Sequence, residues 1–324
     1  MPITKYNEVV HYTERVNIVL NYIHSHLDAP LSLESYSNLA GFSPYHFHRI
    51  FKLIVNETPN KYIQRVRIEK ASRLLAFQQH ESLTEIGLEC GFSSIAGFSR
   101  SFRDFHGMSP SDYRLRFNVF QPRPVTFAEE RFRRNIQSSS YNNRFDTSDQ
   151  IINWALNQLS HVQVLHLPPV KVLAVRHLGL TDTHPNVDLS IAFDEAFRQA
   201  GRRGLLFPDS EAIGVSYDDP YVTPLELCRY DACTTVIPQA EFNKDFELKT
   251  LPGGKYACIP ISGDIHMVWL LSGLLAQHWL PRSGYILDDR PFIEKFDNNP
   301  LLDPDRRYNM KWYLPIKPKS FFRR

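Results

Sequence analysis

No stretch of this chain is apolar over the length that a bilayer span requires. Its opening residues, Met1-Pro2-Ile3-Thr4-Lys5-Tyr6-Asn7-Glu8, lack the basic start and apolar run of an export signal. Neither a membrane segment nor secretion is expected, and a cytoplasmic location is. Cysteine is scarce. The four present, Cys90, Cys228, Cys233 and Cys258, show no CxxC spacing, which argues against a zinc site and against a disulfide framework. Cys228 and Cys233 fall in a strand-like run and read as packing thiols. Charge of one sign is also lacking: residues 1–150 hold 18 Lys and Arg against 15 Asp and Glu, and residues 151–324 hold 19 against 20. A polyanion must therefore be met by local basic clusters rather than by net charge. There is no sustained heptad pattern for a coiled-coil dimer, so a monomer or weak dimer is expected. With 324 residues, 43% hydrophobic and 22% charged, the chain has the length and composition of two ordinary globular domains.

What the chain does have is a motif written twice. Leu39-Ala40-Gly41-Phe42-Ser43, followed by Phe47, Arg49, Phe51 and Lys52, returns about fifty residues later as Glu89-Cys90-Gly91-Phe92-Ser93, followed by Phe98, Arg100, Phe102 and Arg103. In each copy a Gly separates two helical patterns, where a sharp turn calls for positive φ, and the Ser two positions on is placed to cap the second helix. Pro44 suits the first helical position, where an N–H has no partner to lose. Two such units in register read as tandem helix-turn-helix motifs, and hence as a double-stranded DNA interface.

In the second helix of the first copy, Phe47, Ile50 and Phe51 form the packing face. Tyr45, His46, His48 and Arg49 are left near the end that enters a major groove, with Lys52 behind them. Arg49 is the best base reader, because a guanidinium can contact guanine with two hydrogen bonds; the histidines suit phosphate better. The second copy presents Ser94, Ile95, Ala96 and Ser99, with Arg100 as its one long donor before Arg103; Ile95 and Ala96 match thymine methyls. His46 and His48 are two apart and so point to different sides of a helix, and no metal site is expected. Arg49, Lys52, Arg100, Arg103, Arg114 and Arg116 are the candidate phosphate cluster.

Residues from about Val16 to Arg116 resemble the DNA-binding domain of the AraC/XylS family of bacterial transcription activators. The resemblance implies a long helix that joins two subdomains and sets the recognition helices one DNA turn apart, about 34 Å. Pro59 to Phe77 fits that helix, with Ile63, Val66, Ala71, Leu74 and Leu75 inward and Lys61, Arg65, Arg67, Lys70 and Arg73 outward. The closing stretch Phe102-Arg103-Asp104-Phe105-His106-Gly107-Met108-Ser109-Pro110-Ser111-Asp112-Tyr113-Arg114 is family-like too: a basic-aromatic helix, a Gly stop, then Ser-Pro opening a last short helix. An all-α DNA-binding domain over residues 1–120 is expected, followed by a linker over 121–165. The linker is polar and rich in Ser and Asn from Asn135 to Arg144.

Residues 166–324 carry a repeat of their own. Val172 to Gly179 is an apolar strand ending at Gly, followed by a helix from about Leu189 to Gln199 with Ile191, Phe193, Ala196, Phe197 and Ala200 inward. Gly254 to Gly263 repeats the strand, Asp264 caps a helix from Ile265 to Leu280, and Pro281 stops it. Each helix is followed by two strand-like runs, Ile213 to Tyr217 with Glu226 to Val236, then Phe292 to Phe296 with Tyr308 to Ile316. The pattern is βαββ twice, an α+β domain with a groove between its halves.

This half resembles the gyrase-inhibitor-like (GyrI-like) effector-binding domain found behind some AraC-type DNA-binding domains. The stretches that carry the resemblance are Arg229-Tyr230-Asp231-Ala232-Cys233, Leu251-Pro252-Gly253-Gly254-Lys255-Tyr256-Ala257, Trp279-Leu280-Pro281-Arg282-Ser283-Gly284-Tyr285 and Pro291-Phe292-Ile293-Glu294-Lys295-Phe296. It implies a groove that takes small molecules, often aromatic or cationic, with an acidic residue contributed by some relatives. Aromatic faces and one carboxylate are what such a ligand requires. Glu294, in an aromatic strand, is the first candidate; Tyr230, Asp231 and Trp269 follow. Lys311, near where some relatives place an acid, weakens the expectation of a cationic ligand. The functions in view are a ligand-responsive transcription regulator, with RNA polymerase as a further partner if it activates, or a protein that uses the groove to sequester or hydrolyse a small molecule. No cofactor is expected. No Ser/His/Asp set is spaced near Glu294, so catalysis is not expected either.

Overall fold

The computed structural model describes residues 3–29, 32–78, 81–118, 128–130, 132–133, 147–180, 187–218, 220, 223–240 and 248–319. The chain divides into two compact units, Met1–Asn118 and Val119–Arg324. The first is all α: α1 (Ile3–Ser25), α2 (Leu33–Ala40), α3 (Pro44–Val55), α4 (Pro59–Phe77), α5 (Leu83–Glu89), α6 (Ile95–His106) and α7 (Pro110–Phe117). Helix starts are written into the sequence. Ser32, Ser43, Thr58, Ser82, Ser94 and Ser109 each accept a hydrogen bond from an N–H of the first turn, and Pro44, Pro59 and Pro110 stand just inside.

The duplication extends further than the motif suggested. Gly41 and Gly91 both adopt positive φ, and the helices behind them end at Asn56 and Gly107, again with positive φ. Thr58-Pro59 and Ser109-Pro110 then open the next helix in each copy. The second turn is one residue longer, and this corrects the expected cap: Ser94, not Ser93, caps α6, by accepting from Gly97 N at 3.1 Å. Gly91 has no substitute. A Cβ there would lie 2.0 Å from the Leu27 carbonyl.

Helix α4 is the wall shared by two cores. Its first half gives Tyr62, Ile63 and Val66 to a cluster with Val16, Val19, Ile23, Tyr36, Phe47 and Phe51. Its second half gives Ile68, Ala71, Leu74 and Leu75 to another with Ile86, Phe98, Phe102 and Tyr113. Covered on both sides, α4 has little room for the outward basic stripe expected of it. Arg65 is buried, bonded through Nε and Nη2 to Glu57 and through Nη1 to Glu69. Arg67 reaches back to the carbonyls of Leu27 (2.9 Å) and Ala29 (3.2 Å).

The second unit is α+β. It comprises α8 (Ser148–Gln158), β1 (Gln163–Leu167), β2 (Val170–Leu178), α9 (Val187–Arg202), β3 (Ala212–Ser216), β4 (Arg229–Thr235), β5 (Leu248–Leu251), β6 (Gly254–Gly263), α10 (Ile265–Leu274), β7 (Tyr285–Leu287), β8 (Phe292–Phe296) and β9 (Tyr308–Pro318). The strand order is β1-β6-β9-β8-β3-β4-β2-β5, all antiparallel, with β7 paired to the end of β9. The two βαββ repeats, β2-α9-β3-β4 and β6-α10-β8-β9, meet where β3 pairs with β8, centred on Gly214 opposite Glu294. β1 runs into β2 yet pairs with β6, and β5 runs into β6 yet pairs with β2. The sheet therefore curls until its ends meet, at Gly253, whose added Cβ would stand 2.6 Å from the Leu167 carbonyl.

Several expectations for this half change. Helix α8 lies inside the stretch read as linker and strand β1 begins in it; Ile151, Ile152 and Ala155 are buried there. Ala128 and Phe132 are buried too, and Ala128 N donates to Gln277 Oε1 at 3.1 Å within the second unit. The polar stretch Asn135 to Arg144 lies outside the described residues. On α9, Ile191 is 59% exposed, and Ala192 joins Ala196 and Ala200, expected inward and buried, in the packing stripe. Pro281 does not stop the helix after α10. A turn of π-helix, Leu275–Trp279, carries it on to Arg282. The wider turn lets Leu280 N bond Leu275 O just before the residue that has no N–H to give.

Candidate functional site

The first candidate site is the pair of exposed helix faces in the helical unit. On α3, Tyr45 is 75% exposed, Arg49 and Lys52 are exposed, and the Arg49 guanidinium lies 5.9 Å from the Tyr45 ring centre. The two histidines differ from expectation. Both are half-buried, and His46 folds back onto Phe42 (5.0 Å) and Tyr12 (5.7 Å). The physical reason is position: His46 is in the first turn, over the tight connection that Phe42 fills.

On α6, Arg100 and Arg103 are exposed at the places that Arg49 and Lys52 occupy in α3. Ile95 is 42% exposed, whereas Ser99 is half-buried and the Ser94 hydroxyl is engaged as the cap. Arg116 is exposed, but Arg114 is half-buried, with Glu81 as the charge that acts on its guanidinium. Residues outside the motif hold each turn: Arg15 Nη1 donates to the carbonyls of Ala40 (3.0 Å) and Gly41 (3.2 Å), and Lys70 Nζ donates to that of Glu89 (3.3 Å). These are C-terminal carbonyls without helical partners, which cations satisfy well. Only the tertiary fold brings Arg15, from α1, to that end; no local signal marks it.

The second candidate site is the sheet face that α9 packs on. Side chains opposite one another in antiparallel strands share a face, so Tyr230, Ser216 and Phe292 align across β4, β3 and β8, and Gly214, Glu294 and Trp312 across β3, β8 and β9. Glu294 accepts from Tyr230 Oη at 2.6 Å and from Ser216 Oγ at 3.2 Å, and the Trp312 side chain bonds it as well. Around it, Phe193 of α9 meets Phe296 (5.3 Å) and Tyr230 (6.3 Å) edge-on, and Phe292 stacks on Trp312 at 5.3 Å. Burial pushes the Glu294 carboxyl above the usual carboxylate range against the pull of its three donors, and burial with the nearby Glu294 pushes the Tyr230 phenol up. Gly214 makes the arrangement possible: a Cβ there would sit 1.7 Å from Tyr230 Oη. The arrangement is a carboxylate walled by aromatic rings, the donor set for a flat or cationic molecule.

Of the four residues expected here, Glu294 and Tyr230 come together, and Trp269 stands half-buried on α10. Asp231 does not join them. It follows Tyr230 in β4 and so faces the other side of the sheet, where Arg176 clasps it (2.7 and 3.0 Å), Tyr217 Oη donates to it at 2.8 Å and Lys249 pairs with it. Burial alone would raise its carboxyl, but Arg176 and Lys249 hold it well below the usual carboxylate range. Lys311 is exposed on the face opposite Trp312 and so does not oppose Glu294. Ser216 and Trp312 were not read from the sequence, and Phe193 was read only as an inward helix residue; counting alternate residues back from Leu314 would have placed Trp312.

A family model for the GyrI-like small molecule binding domain matches residues 160–317, and one for a helix-turn-helix domain matches residues 36–116. Over 104 residues the chain is 39% identical to the probable transcriptional regulator LumQ of Photobacterium leiognathi, covering 32% of this chain and 42% of that protein. It is 30% identical over 138 residues to the uncharacterized HTH-type transcriptional regulator YbfP of Bacillus subtilis, covering 42% and 46%. A solved AraC-type transcriptional regulator structure from Chromobacterium violaceum aligns at 29% identity and a TM-score of 0.30 over 32% of this chain and 90% of that one. The chain spans about half or less of the length of these two curated relatives. No described helix is long and apolar enough to cross a membrane. The chain thus joins a helix-turn-helix domain to a GyrI-like small molecule binding domain.

Proposed function

We propose that the protein is a sequence-specific transcription regulator, an activator, in which a small molecule held at Glu294 alters how the helical unit binds promoter DNA or engages RNA polymerase. The observation that carries the DNA part is the paired presentation of basic residues. Arg49 and Lys52 on α3 recur as exposed Arg100 and Arg103 on α6, each on a helix whose turn is held by a positive-φ glycine and a basic clamp. The ligand part rests on the buried carboxylate among Phe193, Tyr230, Phe292, Phe296 and Trp312. A flat organic cation suits that site, since its charge would meet the carboxylate and its face the rings.

The test is selection of bound sequences from a random DNA pool with the full-length chain at fixed salt, with and without a panel of flat organic cations. A bipartite motif with its halves one helical turn apart, and a shift in occupancy with one of the cations, is the expected result. Absence of any enriched sequence refutes the reading.

A further inference from the structure

The two recognition helices, matched residue for residue through the duplication, share their basic residues but offer different chemistry to DNA at their leading turns. On α3 the first two turns expose a phenol and a guanidinium, Tyr45 and Arg49. On α6 the equivalents are Ala96 and Arg100, with Gly97 where α3 has His46. The Ser94 hydroxyl is committed to Gly97 N, and Ser99 is half-buried. Behind its exposed cap Ser94, the leading turn of α6 presents the apolar atoms of Ile95 and Ala96 on a slim helix end. A Cβ on Gly97 would approach nothing but Ser94 Oγ. In the major groove the C5-methyl of thymine is the base feature that apolar atoms can recognise.

We infer that α6 reads thymine methyl groups through Ile95 and Ala96, beside a base pair read by Arg100, whereas α3 reads its half-site by hydrogen bonding through Arg49. Ile95 is then a specificity-determining residue. The operator is chemically asymmetric, and the protein binds it in one orientation. This rests on the DNA-binding reading above. It adds what the second half-site must contain: A·T pairs whose thymines face the leading turn of α6, adjacent to a G·C pair.

The test uses the full-length chain and the DNA sequence enriched by the selection experiment. Thymidine is replaced by deoxyuridine, which removes only the methyl group, in one half-site at a time. Affinity is expected to fall about fourfold for each methyl contacted when the substitutions lie in the α6 half-site, and to change by less than about twofold when they lie in the α3 half-site. Ile95→Ala should shrink the thymidine-to-deoxyuridine ratio in the α6 half-site, and a far-ultraviolet circular dichroism spectrum and melting temperature like the parent's show that the variant is folded. Equal affinities for the two bases in that half-site, or an unchanged ratio in Ile95→Ala, would overturn the inference. If selection enriches nothing, it falls together with the DNA-binding reading. If selection succeeds and methyl removal has no effect, it falls alone.

Discussion

Gly214→Ala is the perturbation that tests most directly how the carboxylate site is built. The new methyl would occupy a point 1.7 Å from Tyr230 Oη, 2.5 Å from Tyr230 Cζ and 3.0 Å from Glu294 Oε2. A tyrosine ring has no way to yield by bending its far end, so the phenol must swing away and the 2.6 Å bond to Glu294 must break. Losing a hydrogen bond to a buried carboxylate costs about 1.5–3 kcal/mol, and overpacking of a filled site about 1–3 kcal/mol more. The expected loss is thus about 2.5–6 kcal/mol, confined to the second unit. The chain supplies its own reporter, because all four tryptophans, Trp154, Trp269, Trp279 and Trp312, lie in that unit. Urea unfolding followed by tryptophan fluorescence measures the change. Tyr230→Phe breaks the same hydrogen bond and relieves the closest contact, so the double variant should be less destabilised than the sum of the singles by about 1–2 kcal/mol. A Gly214→Ala protein within about 0.5 kcal/mol of the parent, or singles that simply add, would refute the reasoning.

Other expectations follow from the same geometry. Arg49→Ala should cost about 1–3 kcal/mol at a specific operator and relax the preference at one base pair, more than Ile95→Ala costs; binding titrations at fixed salt rank the two. Gly91→Ala, with φ at 85° and its Cβ 2.0 Å from the Leu27 carbonyl, should destabilise the helical unit by at least about 2 kcal/mol, read by far-ultraviolet circular dichroism. Asp231 is held low by Arg176 and Lys249, so its contribution to stability is present above the unfolded carboxylate pKa near ~4 and is lost as pH falls below it. Asp231→Asn should therefore destabilise at pH 7 and flatten the acid side of the stability profile. Glu294 is shifted the other way by burial, so ionising it opposes folding as pH rises. Glu294→Gln should raise the urea midpoint at neutral pH while abolishing the response to any cation that the parent binds, and a lowered midpoint would contradict the burial argument.

Legibility followed the range of the interactions. Helix starts at Ser43-Pro44 and Ser109-Pro110 were readable because caps act within four residues. Strands β2 and β6 were readable because each is an apolar run, buried in its middle and ending at Gly. Strand β1 was missed because it stands at the sheet's edge and only Leu165 and Leu167 are half-buried, too short a pattern to mark a strand. Arg65 was assigned outward by its charge, and only Glu57 and Glu69 arriving beside it made burial tolerable. His46 was assigned outward from its place on a helix, and the connection it covers drew it back.

By itself the sequence determined the two-domain plan, the tandem helix-turn-helix, the repeated βαββ order and the candidacy of Glu294, because each depends on local periodicity, on turn chemistry or on a pattern written twice. Only the tertiary structure decided which charges work together. Tyr230 and Asp231 are neighbours in sequence, yet the pleat sends one to the aromatic carboxylate site and the other into an ion network on the opposite face. Gly214, which could have marked any bend, proved to be the gap that lets a phenol reach a carboxylate contributed by the other repeat.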